Sequence, residues 1–113
     1  MGAVLAVAVD ITVDEFKAWL KDRDGKMVVG LARMPRDCPI ARYLGRLEPA
    51  GSKRYAVHPT IIGYGDGYRD GNWVYAPAPA WVERFVRAAD NLRPMTPITA
   101  ATALDYLSVG YMR

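Results

Sequence analysis

At 113 residues, with 51% apolar and 24% charged side chains, the chain has the composition of one globular domain spanning 1–113 and not of a disordered segment. A chain of this length removes roughly 65% of its unfolded surface from water, so it stands without staples. A net charge of +3 is low for a nucleic-acid binder, and a single cysteine excludes an internal disulfide and points to a reducing cytoplasm.

The opening MGAVLAVAV is apolar but far short of the ~20 residues that span a bilayer, and it lacks the basic leader of a secretion signal. It reads as a buried first strand, and no membrane partner is expected. The first helix is the best-signalled element. Thr12 and Glu15 have capping-box spacing, Ile11 and Phe16 form a hydrophobic staple, and Val13, Phe16 and Leu20 repeat at helical intervals with Trp19 beside them. These features predict a helix from Val13 to Arg23, ended by Asp24-Gly25. KMVVGLA follows as a short strand, in which Gly30 marks a bulge or a close backbone contact.

In RMPRDCPIARYLGRLEPAG, Asp37 is the expected N-cap and Pro39 lies in the first turn. Ile40, Tyr43, Leu44 and Leu47 then form an apolar stripe, with Arg42 and Arg46 on the opposite side. Cys38 falls at the helix N-terminus, where unpaired amides and nearby Arg36 would lower a thiol's pKa, although a small buried residue is the simpler reading. The 33–54 stretch also concentrates charge, with six basic residues against two acidic, whereas the remainder has nine against ten. Such a patch attracts phosphates or acidic partners.

Tyr55 to Ile62 and Asn72 to Ala76 are rich in β-branched and aromatic residues and read as two strands around GYGDGYRDG, whose glycines at 63, 65, 67 and 71 permit unusual backbone angles. Either the loop presents Tyr64, Tyr68 and Arg69 to solvent, next to Trp73, or the tyrosines fold back over the sheet. Tyr and Arg are the residue types enriched at interface hot spots. Asp66, Asp70 and Asn72 lack the order of a calcium loop, and the glycines fit neither phosphate-loop nor dinucleotide spacing, so no metal and no cofactor are expected. PAPAWVERFVRAADNLRP places Trp81, Val82, Phe85, Val86, Ala89 and Leu92 on one helical face. Thr96-Pro97 is the expected cap of a last helix carrying Ile98, Ala101, Leu104 and Leu107.

The order suits an α+β domain, a small antiparallel sheet covered by helices on one face. For function, the sequence supports a small non-catalytic binding module whose recognition residues are Arg36, Arg42, Arg46, Tyr64, Tyr68, Arg69 and Trp73. Its expected partner is a protein, a second copy of the chain included. A nucleic acid gripped by the basic segment is the second reading. A thiol-dependent enzyme or redox sensor centred on Cys38, with His58 as base, is the third.

Overall fold

The computed structural model describes residues 11–48, 54–65 and 73–108, so the strand expected at the N-terminus lies outside the described residues. In chain order the elements are α1 (Val13–Lys21), β1 (Val28–Leu31), α2 (Pro39–Leu44), β2 (Tyr55–Val57), β3 (Ile61–Tyr64), β4 (Val74–Pro77), α3 (Ala80–Ala89), β5 (Pro97–Thr99) and α4 (Ala100–Tyr106). The fold is α+β, with every described strand pairing antiparallel. The described strands form two small sheets instead of one: β1 pairs with β5, and β2-β3-β4 is a three-stranded meander.

Helix α1 starts as its capping signal requires. The Thr12 hydroxyl accepts from the Glu15 amide at 3.2 Å and lies 3.0 Å from the Glu15 carboxylate, to which it donates. The helix ends at Lys21, two residues short of expectation, with Asp22 as C-cap. Phe16 and Leu20, one turn apart, are completely buried. Phe16 is the hub of an aromatic cluster, with ring centroids 5.4 Å from Tyr43 of α2, 5.6 Å from Trp81 and 5.4 Å from Phe85, both of α3. Such ring pairs add ~0.5–1.5 kcal/mol each beyond the area they bury, and here they join three helices.

The long strand expected over Tyr55 to Ile62 is broken by a tight turn at His58-Pro59-Thr60, where the His58 amide donates to the Ile61 carbonyl at 2.9 Å. Pro59 has no N–H for a ladder, so it serves the turn. In the meander, Val57, Ile62 and Ala76 face inward and are buried. Val57 and Ile62 join one core with Val82, Phe85 and Val86 of α3 and Phe16 of α1. Pro97-Ile98-Thr99 is also strand, and the β-branched pair fits that assignment. The cap of α4 is therefore Thr99, which accepts from the Thr102 amide at 3.2 Å, and not Thr96.

Helix α2 begins one residue later than expected. Cys38, not Asp37, is its N-cap: the sulfur accepts the Ala41 amide at 3.4 Å, and Pro39 occupies the first turn. The helix closes at Gly45, so Leu47 falls beyond the apolar stripe and is 86% exposed.

Gly30 is both a bulge and a close contact. The β1–β5 register slips between Val28 and Gly30, and a Cβ at Gly30 would lie 2.4 Å from the Pro39 nitrogen and 2.7 Å from the Cys38 carbonyl carbon. Around this contact the Leu31 amide donates to the Asp37 carbonyl and the Val57 amide to the Pro35 carbonyl, each at 2.9 Å. The 35–39 stretch thereby ties β1 to β2, and α2 packs on both sheets. The obstruction at Gly30 is backbone, which cannot swing aside. Gly30→Ala is expected to lower unfolding free energy in urea melts by about 3 kcal/mol, the upper end for overpacking. Gly25→Ala, whose Cβ meets only the Ala101 Cβ at 3.5 Å, is expected to change it little.

Candidate functional site

Trp73 and Tyr75 flank Val74 at the start of β4, and strand alternation sends both rings to the outer face of the meander. Across the ladder, Tyr75 pairs with Gly63. A side chain there would collide with the rings, since a Cβ would sit 2.8 Å from Tyr75 Cε1 and 3.0 Å from Trp73 Cε3. Glycine lets the two aromatics lie down over the sheet. Arg36 closes over them, its guanidinium carbon 4.8 Å from the Trp73 ring centroid, a cation–π contact. Met34, Pro35, Arg36 and Asp37 form one bank of the resulting groove, Trp73 and Tyr75 the other, and Ala56 and His58 the floor. It encloses about 440 Å³. Tyr75 is 49% exposed, so its ring is available to a ligand.

Arg36 and Trp73 are thus the two expected recognition residues that the fold brings together. Tyr64 is half-buried. It points to the inner side, its ring 4.9 Å from that of Tyr55, where burial together with Tyr64 and Glu48 raises the Tyr55 pKa. Tyr68 and Arg69 lie outside the described residues. Arg42 is tied to Asp37 at 3.4 Å, and Arg46 folds back on its own helix, donating to the Tyr43 carbonyl at 2.8 Å with its guanidinium 4.1 Å from the Tyr43 ring. Arg54 pairs with Glu48 at 3.6 Å, and Arg33 donates to the Asp90 carbonyl at 2.8 Å. Each described arginine of the basic segment is engaged within the chain.

Of the groove residues, sequence reasoning assigned only Arg36 and Trp73 to recognition and missed Tyr75, Met34, Pro35, Asp37, Ala56 and His58. Tyr75 was signalled by its i,i+2 spacing from Trp73 in a strand, a spacing that puts two rings on one face. Pro35 and Ala56 carried no local signal, because it is tertiary pairing of the 35–37 stretch with β2 that brings them to the site.

Cys38 and His58 do share a hollow, on the other side of β2. This inner cavity of about 330 Å³ lies between β2, the 31–38 segment and α3, and is lined also by Arg33 and Asp90. The thiol is buried, and its pKa moves opposite to the sequence expectation, from 9.0 to about 11. Burial is the main cause. The Ala41 and Ile40 amides pull it down, but the nearby Asp90 and Asp37 carboxylates add to the rise. A thiol held protonated at neutral pH is a poor nucleophile. Among the described residues, no group of three or more His, Cys, Asp or Glu side chains is placed to hold a metal ion, and no helix is long and apolar enough to cross a membrane. No known protein family, no curated protein and no solved structure matches the chain.

The raised thiol pKa has a signature in stability. Between pH 9 and 11 the folded chain keeps a proton that the unfolded chain releases, so the stabilisation is complete below about pH 9 and is lost as pH rises toward 11. In urea melts at a series of pH values, the wild type is expected to lose on the order of 2 kcal/mol relative to Cys38→Ala over that interval.

Proposed function

We propose that the chain is a non-catalytic binding module, working in a reducing cytoplasm, whose outer groove holds an extended, proline-containing segment of a partner protein. The observation that carries this reading is the stack of Arg36 on Trp73 beside the half-exposed Tyr75, laid flat across the sheet by Gly63. Flat ring faces with a guanidinium alongside favour a ligand that is stiff and apolar along its length and shows carbonyl acceptors. The groove's own carboxylate, Asp37, is already paired with Arg42, so the site has little to offer a ligand rich in N–H donors. A polyproline II segment meets both conditions: its prolines have no N–H, its carbonyls face outward, and little conformational entropy is lost on binding.

Nucleic-acid bases would also stack on these rings. Phosphates, however, need cations that are free to neutralise them. Arg42 and Arg54 face carboxylates that offset their charge. A protein segment is therefore the better occupant.

A fluorescence titration of the full chain against a panel of proline-rich decapeptides, each with an alanine-for-proline control, tests this reading. The expected result is micromolar binding to at least one peptide and none to its control. Trp73→Ala should weaken that binding at least ~tenfold, as removal of a hot-spot aromatic does, while the Arg42→Glu, Arg46→Glu double variant leaves it nearly unchanged. Salt-steep binding of a single-stranded oligonucleotide in place of the peptides, or peptide binding indifferent to Trp73→Ala, would sink the reading.

A further inference from the structure

The inner cavity is not used by the groove reading. Its deep walls are apolar, made by Leu31, Met34, Val57, Phe85, Val86 and Ala89, with the Cys38 thiol among them. Arg33 is exposed and His58 and Asp90 are half-exposed, so these three mark the mouth. An apolar cavity of ~150 Å³ is enough to admit a benzene ring, and this one encloses about 330 Å³. The mouth has its own peculiarity. Arg33 adopts a left-handed backbone conformation, φ 59°, although it is not glycine. That conformation is strained for a side-chain-bearing residue and recurs at ligand sites, where surrounding structure holds it in place. Here it accompanies a side chain whose Nε reaches the Asp90 carbonyl at 2.8 Å, at the cavity rim.

We infer that this cavity is a second binding site, for a small uncharged aromatic molecule of one or two rings whose single polar group stays at the Arg33, His58 and Asp90 mouth. The ring component is argued from the apolar depth and the volume. A net charge on the ligand is disfavoured because Arg33 and Asp90 bring opposite charges to the rim, and because desolvating an ion against the apolar wall is costly. The site stands independently of the peptide groove and survives if that reading fails.

The experiment titrates indole into the full-length protein and follows methyl signals by NMR. Saturable shifts are expected for Leu31, Val57 and Val86, with the Ala56 methyl in the outer groove unmoved. Indole should also raise the midpoint of urea unfolding, since a ligand held only by the folded chain stabilises it. Ala89→Phe, which fills the cavity, should cost at least ~tenfold in affinity, equivalent to about 1.4 kcal/mol. If that variant does not fold, the shifts and the unfolding midpoint of the wild type decide the matter alone. Indole-3-carboxylate should bind at least ~tenfold more weakly than indole, by the same conversion. Absence of saturable shifts at millimolar indole, shifts confined to the outer groove, an unchanged unfolding midpoint, or equal binding of the carboxylate would each overturn the inference.

Discussion

Two stretches of backbone meet at Gly30 and Pro39 with no room for one further carbon between them, and most of the molecule's layout depends on that approach. It sets the distance of α2 from β1. The hydrogen bonds on either side, from Leu31 to Asp37 and from Val57 to Pro35, fix how the two sheets stand relative to each other. Proline at 39 suits the place because it brings no N–H to a crowded point, and glycine at 30 because it brings no side chain. The two residues solve one steric problem from opposite sides.

The same stretch then serves two environments. Its backbone is bound to β1 and β2, while its side chains divide: Cys38 turns inward to cap α2, and Arg36 turns outward onto Trp73. A sulfur is a weak acceptor for a helix amide, but unlike a carboxylate it can be buried against Val57 and Phe85 at little cost. That exchange explains why Asp37, the stronger capping type, lies one residue outside the helix and satisfies Arg42 instead. What resembles a reactive thiol at a helix terminus is a packing solution.

The elements most legible from sequence were those whose signals are local. Thr12 with Glu15, and the apolar repeat of Val82, Phe85, Val86 and Ala89, needed only a helix to make sense, and both helices are present. Gly30 also announced itself, because a glycine between β-branched and apolar neighbours needs a reason. The turn at His58-Pro59-Thr60 was hidden by apolar residues continuing on both sides of it. Pro97 belonged equally to a helix start and to an edge strand, and pairing with β1, a partner some 70 residues away, settled it. Leu47 kept the right spacing but lay past a helix end that only Gly45 marks. At the site, Arg36 and Trp73 could be chosen by residue type alone. Their contact could not, because it depends on Gly63 leaving space and on the 35–37 stretch running beside β2. Tyr64 failed for the complementary reason: its ladder position, opposite Tyr55, commits it to the inner face whatever the neighbouring glycines allow.

Met34, Pro35 and His58 border both hollows, which makes them a septum a single layer of residues thick. Pro35 has a ring-locked φ, and its carbonyl is fastened to β2, so the septum is held as a plate and not residue by residue. A ligand on either side therefore meets a wall whose backbone is already held, and each hollow keeps its own volume.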